Sequence, residues 1–324
     1  MKIPVFILSI SLYLSSCSFT PRAEWVTTTE NTPWAEQPDL ISALADTIPN
    51  IDITILTEKH QQQIDGFGAC FNELGWLSLS KLEPSVREEI MEELFFPGVG
   101  ANFTICRMPV GANDFSRDWY SYDEVDGDFT MEHFTIANDQ QTLIPFIKAA
   151  QQYNPDMTFW MSPWSPPSWM KINHYYSVRS DRNQNQMSPL SDVALYEDSK
   201  EKNTQVFPQQ LAVNDYFIQD PRYLQTYANY FCKFIDAYKE QGIPISMIMF
   251  QNESWSYTNY PGCAWTAEGI IRFNAEYLAP TLKRQHPEVK LYLGTINTNR
   301  YEVIDQVLSD PRMPETIEGV GFQW

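Results

Sequence analysis

From residue 63 onward, short apolar runs alternate with amphipathic stretches, and that rhythm admits few folds. Strand candidates fall at 63–69, 103–110, 158–162, 245–251, 290–295 and 319–322. Between them lie helical periodicities with recognisable ends. One opens near Pro84, at the favoured first-turn position, with Val86, Ile90, Met91 and Leu94 on one face. A second spans about 139–152 and stops before Pro155. The clearest spans 221–241: Asp220 can cap it, Pro221 opens it and Gly242 closes it. Its stripe is Leu224, Tyr227, Phe231, Phe234, Ile235 and Tyr238. Thr266 can cap a fourth, reaching about 285. Units of this kind build a parallel sheet covered by helices. Six strands in succession, with no internal repeat and no glycine-rich phosphate loop after any of them, point to a barrel rather than a doubly wound nucleotide-binding sheet. The expected fold is therefore α/β: a parallel (β/α) barrel to which this chain contributes six strands.

The N-terminal sequence has a different character. Lys2 precedes an apolar run, 3–14, too short to span a bilayer. It ends in Leu14-Ser15-Ser16-Cys17, which resembles a bacterial lipoprotein cleavage box. On that likeness residues 1–17 are a signal peptide, and Cys17 becomes the lipidated first residue of the mature protein. An ordinary secretory signal is the alternative. The expected location is outside the cytoplasm, on a bacterial membrane, with the lipid anchor as the sole membrane contact. Residues 18 to about 35 are polar and Thr-rich and read as loose, whereas 51–56 alternates like a strand outside the main domain.

A net charge of −19 argues against nucleic acid or an anionic lipid surface as partner. Aromatic residues at 14% suit a sugar cleft, where rings stack on pyranose faces, and equally suit core filling. His60, His133, His174 and His286 are scattered, and Cys70, Cys106, Cys232 and Cys263 lack CxxC spacing. No metal and no cofactor are expected. A disulfide is permitted but not required.

The strand ends carry the chemistry. The fourth candidate terminates in Gln251-Asn252-Glu253, with Trp255 and Tyr257 following. Hydrolysis of a glycosidic bond needs one carboxyl group to protonate the leaving oxygen and a second to attack or stabilise the anomeric carbon. Glu253 suits the first role, and Asn252 could bond a sugar 2-hydroxyl. Arg107 ends the second strand and could hold a catalytic carboxylate ionised, or sit in a fixed salt bridge. The third strand runs into Ser162-Pro163-Trp164-Ser165-Pro166-Pro167-Ser168-Trp169-Met170-Lys171, a proline-stiffened aromatic platform. The polar insertion 172–219 follows on what would be the catalytic face, as a binding wall.

These segments resemble one family. The motifs at 63–68 (QIDGFG), 107–116, 162–173 (SPWSPPSWMKIN), 250–253 (FQNE) and 319–324 occur in the order and intervals of glycoside hydrolase family 30, the glucosylceramidase-like group. The resemblance implies a retaining β-glycosidase, a TIM barrel with a fused β-sandwich side domain, and Glu253 as general acid/base. It further implies that Asn252 contacts the sugar, Asp114, Trp164 and Trp324 line its subsite, and Arg107 positions the nucleophile. Residues 18–60 would then hold a linker and the first strands of the side domain, and 61–324 a partial barrel.

The sequence departs from that pattern in places. The family's nucleophile is a second Glu ending the seventh strand, whereas the sequence closes within the sixth-strand motif, which reads as a C-terminally incomplete barrel. Gln323 stands where the family more usually has His, and Asn72-Glu73 where many relatives have Thr-Asp. The expected partner is a β-linked oligo- or polysaccharide, a glucan or glucoside. The rival readings are a noncatalytic carbohydrate-binding lipoprotein lacking the nucleophile, and an inverting enzyme with Asp114 or Glu73 as base.

Overall fold

The computed structural model describes residues 22–41, 54–178, 215–256, 258, 260–297 and 301–323. The chain divides into two compact units, residues 1–63 and 64–324. In the first, β1 (Arg22–Ala23) pairs antiparallel with β4 (Leu40–Ile41), and β2 (Val26–Thr29) with β3 (Thr32–Glu36). The stretch read as loose is thus partly a hairpin. Its side chains are almost all exposed, so no apolar alternation announces it. Local hydroxyls hold it: Thr29 Oγ1 accepts from the Thr32 N–H at 3.1 Å, and Thr28 Oγ1 from the Trp34 N–H at 3.1 Å. Residues 54–56 form no strand, and 51–53 lie outside the described residues.

The second unit is built on β5 (Ile105–Pro109), β6 (Thr158–Ser162), β7 (Ile245–Met249), β8 (Lys290–Ile296) and β9 (Gly319–Phe322). All are parallel and lie in sequence order. A doubly wound sheet reverses its order at a switch point; this one does not, and an unreversed parallel run is a barrel wall. The first candidate, 63–69, differs from expectation. It lies along β5 through backbone bonds from the Thr104 N–H to Phe67 O (2.8 Å) and from the Arg107 N–H to Ala69 O (2.9 Å), without becoming a regular strand. Gly68 permits that approach, because a Cβ there would collide with the Ile105 carbonyl.

Strand residues alternate between two surroundings, as a period of two requires. Cys106, Met108, Phe159, Met161, Ile248, Leu291 and Leu293 are buried in the main core. The intervening Arg107, Trp160, Met247 and Tyr292 are half-buried on the opposite face.

The four expected helices all form. They are α2 (Pro84–Phe95), α3 (Leu143–Tyr153, led by a 3-10 turn at Asp139–Gln141), α4 (Pro221–Glu240), and a composite of α5 (Ala267–Ile271), a π-helical stretch (Arg272–Leu278) and α6 (Ala279–Gln285). Two more form: α1 (Glu73–Leu79), which was not anticipated, and α7 (Tyr301–Ser309), around Glu302, which the sequence reading places on a helix. Asp220 and Thr266 cap as their types dictate, accepting from the Arg222 and Gly269 N–H groups. The whole predicted stripe of α4 is buried, at about 1.5–3 kcal/mol for each large apolar side chain. The stripe's Tyr227 and Phe231 join Phe217, Trp265 and Phe273 in one ring cluster, with Phe217 stacked 5.0 Å from Trp265.

One buried charge site braces the wall. Asp139 is wholly enclosed and accepts from the hydroxyls of Tyr120 (2.5 Å), Tyr122 (2.7 Å) and Tyr238 (2.6 Å). Burial pushes its carboxyl up to about 6, against the three hydroxyls that pull it down.

Candidate active site

Consecutive parallel strands end on the same side of a sheet, so their last residues meet. Here β6 ends in Ser162, β7 delivers Asn252 and Glu253 just past its end, β8 carries Thr295 one residue before its end, and Gln323 follows β9. Arg107, expected at a strand end, lies instead in the middle of β5 and reaches the same group with its long side chain. The Arg107 guanidinium donates twice to Ser162 Oγ (3.0 and 2.6 Å) and once to Asn252 Oδ1 (2.7 Å). The same Asn252 oxygen accepts from Thr295 Oγ1 at 3.0 Å. Arg107 lies 4.1 Å over the Trp164 ring and 5.0 Å from that of Trp160, a cation–π setting that fixes the plane of the fork. Gln323 Nε2 donates to Asn252 Oδ1 at 2.8 Å and to Thr295 Oγ1 at 2.7 Å; with the amide turned, it donates instead to Glu253 Oε1 at 2.8 Å. Its oxygen then accepts from Arg107 Nη1 at 3.2 Å.

Glu253 sits where the chain leaves β7, in the left-handed region at φ 51° and 8% exposed. Few non-glycine residues adopt that conformation, and it recurs at functional sites. Its N–H donates to Thr295 O at 3.1 Å, its carbonyl accepts from the Ser256 N–H at 3.0 Å, and its Oε2 accepts from the Tyr260 hydroxyl at 3.0 Å. Burial raises its pKa above the ordinary carboxyl value, and the Asp114 charge acts in the same direction. The Tyr260 bond, the Arg107 charge and Ser256 oppose them. A carboxyl so placed holds its proton further up the pH scale, as a general acid must.

The sequence-predicted residues are distributed unevenly. Arg107, Asn252, Trp164 and Glu253 come together. Asp114 is exposed on the loop after β5, and its charge bears on both Arg107 and Glu253. Glu73 has a structural role: fully buried, it accepts from Asn138 Nδ2, Thr142 Oγ1 and the Arg117 N–H at 2.9, 2.9 and 3.0 Å. Those bonds leave it poorly suited to act as a base. Trp324, Tyr257, Cys17 and residues 179–214 of the insertion lie outside the described residues. Sequence reading missed Tyr260 and Thr295, since neither stands in a strand-end motif with a carboxylate. Among the described residues no group of three His, Cys, Asp or Glu is arranged to hold a metal ion, and no helix is long and apolar enough to cross a membrane.

Residues 64–185 and 216–324 match the glycosyl hydrolase family 30 TIM-barrel domain. The chain is 26% identical over 281 residues to the lysosomal acid glucosylceramidase of Mus musculus, covering 84% of this chain and 48% of that protein. It is 26% identical over 265 residues to an endo-1,6-β-D-glucanase of Trichoderma harzianum, covering 80% and 48%. The chain spans about half the length of the curated relatives it matches. In fold it is similar to SrfJ from Salmonella typhimurium, at a TM-score of 0.71 and 22% identity over 89% of this chain and 57% of that one. It is also similar to an endo-β1,6-glucanase, at a TM-score of 0.62 and 23% identity over 81% and 52%.

Proposed function

Because the chain belongs to glycosyl hydrolase family 30, we propose that it serves a retaining β-glycosidase acting on a β-linked glucan or glucoside, with Glu253 as general acid/base. The observation that carries this reading is the raised carboxyl of Glu253 at the end of β7, beside the Arg107–Asn252 bond. In the first step Glu253 gives its proton to the glycosidic oxygen while a second carboxylate attacks the anomeric carbon, forming a glycosyl ester and releasing the aglycone. In the second step the deprotonated Glu253 takes a proton from water, whose oxygen displaces the carboxylate and restores the β configuration. Family resemblance assigns the second carboxylate to a glutamate on the strand after β9, positioned by Arg107. Asn252, its oxygen fixed by Arg107 and Thr295, offers its amide nitrogen to the sugar 2-hydroxyl.

The names of relatives support a glucoside or β-1,6-glucan as substrate, and the loops after β5 and β6 would set the choice. Export and lipid anchoring at Cys17 belong to the same proposal. The mass of the mature N-terminal peptide from the native host tests them: a diacylglyceryl cysteine is expected, a cleaved but unmodified terminus would rule out the anchor, and an uncleaved terminus would rule out both.

The mechanism is tested by NMR of the sugar first released from an aryl β-glucoside or a β-1,6-glucan by the protein as its host makes it. The β-anomer is expected first. The α-anomer first would sink double displacement and favour inversion. Tight glucan binding without any release would favour a noncatalytic sugar-binding role.

A further inference from the structure

A buried ammonium group lies behind the acid/base loop with no carboxylate among its hydrogen-bond partners. Lys171, at the end of the SPWSPPSWMK run, is 0% exposed. Its Nζ donates to Tyr176 O at 2.6 Å and Gly262 O at 2.7 Å, with Ser165 Oγ at 3.3 Å and Ser177 O at 3.5 Å. An ion in such a place is costly unless its donors are satisfied, and here two backbone segments supply the acceptors.

Those segments are the loop after β6 and the loop after β7. They run antiparallel beside each other: Ser177 pairs with Pro261, the Gly262 N–H donates to Tyr176 O at 3.0 Å, and the Val178 N–H donates to Thr258 O at 3.1 Å. Gly262 is two residues beyond Tyr260, whose own carbonyl accepts from Thr258 Oγ1 at 2.7 Å. Tyr260 is the residue that donates to Glu253 Oε2. The lysine therefore closes a chain from the β6 loop, through Gly262 and Tyr260, to the carboxyl group.

We infer that Lys171 is a positioning residue: its ammonium clamps the β6 and β7 loops together and so holds the Tyr260 hydroxyl on Glu253. Its consequence for catalysis rests on the reading of Glu253 as acid/base, but the placement itself does not. Burial lowers the Lys171 pKa to about 8, while Cys263 and Glu124, the ionisable groups that face it, pull it upward. The clamp is thus charged through neutral pH and weakens in alkali. Glu253 is faced by Tyr260, Asp114, Arg107 and Ser256, and Lys171 acts on it only through the first.

The test is the titration of the Glu253 carboxyl carbon by NMR in glutamate-labelled protein, assigned by its loss in Glu253→Gln. It needs no substrate, so it reads the clamp whether or not hydrolysis is seen. Tyr260→Phe removes a bond to the charged form and should raise the Glu253 midpoint. Lys171→Met should raise it in the same direction and add nothing in the Tyr260→Phe background. Lys171→Gln, neutral but still a donor of two N–H bonds, should fall between Lys171→Met and wild type. A wild-type midpoint in Lys171→Met would overturn the proposal. So would an equal shift with Tyr260 already removed, which would mark a direct charge effect. If neither lysine variant folds, by near-ultraviolet circular dichroism, the residue serves stability alone and the proposal fails.

Discussion

The guanidinium of Arg107 donates to the side-chain oxygen of Asn252 at 2.7 Å across 145 residues of sequence, while lying 4.1 Å over the Trp164 ring. That bond joins the middle of β5 to the residues just past β7, strands that are not neighbours in the sheet, with Ser162 of β6 between them. It fixes the amide beside Glu253. A lysine cannot reproduce a flat fork that reaches both Ser162 and Asn252.

Arg107→Lys is therefore expected to lower kcat/KM on an aryl β-glucoside by about 100-fold, the scale of a small misplacement of reacting groups. Steady-state kinetics check this. Wild-type kcat/KM in the variant would remove Arg107 from the site's positioning.

Asp139 carries a pH signature. Its folded pKa of about 6 stands above the ordinary carboxyl value because the site is buried. The folded state then binds the proton more tightly than the unfolded chain, so its stabilising contribution is complete below about pH 4 and is lost as pH rises through about 6. Urea unfolding of wild type and Asp139→Asn at pH 4 and pH 7 measures the difference. The wild-type stability should fall, relative to the variant, by roughly 2 kcal/mol over that interval. A parallel pH dependence in the two proteins would contradict the assignment.

Phe217→Ala should cost about 3–5 kcal/mol in chemical denaturation, since the ring is fully buried and stacked between Trp265 and Tyr227. The segment 216–218 pairs with 170–172 through the Ile172 and Ile218 N–H groups, so the loss reports the order of the loop carrying Lys171. A loss within about 0.5 kcal/mol, as at a surface position, would show that the segment is not packed.

Sequence reading reached the parts of this molecule whose signals are local. Asp220-Pro221 and Gly242 bracket α4 because capping and ring closure act within one turn. The end of β7 was legible because an apolar run closing in Gln251-Asn252-Glu253 is a strand delivering a carboxyl group to one face. Residue patterning read the hairpin Val26–Glu36 as loose because its two strands bury almost nothing, and only the family resemblance set strands within 18–60. The first barrel segment read as a strand, yet its pairing with β5 is carried by a few backbone bonds around Gly66 and Gly68. Tyr260, Thr295 and Lys171 were invisible as partners, since each meets its neighbour only through the tertiary fold.

The most direct measurement is the chemical rescue of Glu253→Ala with azide. If Glu253 is the acid/base, turnover of an unactivated β-glucoside should fall by about 10²–10⁴-fold. Azide should restore turnover of a substrate with a good leaving group and yield the β-glycosyl azide, since the anion enters from the face the carboxylate vacated. Near-wild-type hydrolysis of the unactivated glucoside by Glu253→Ala would contradict the account.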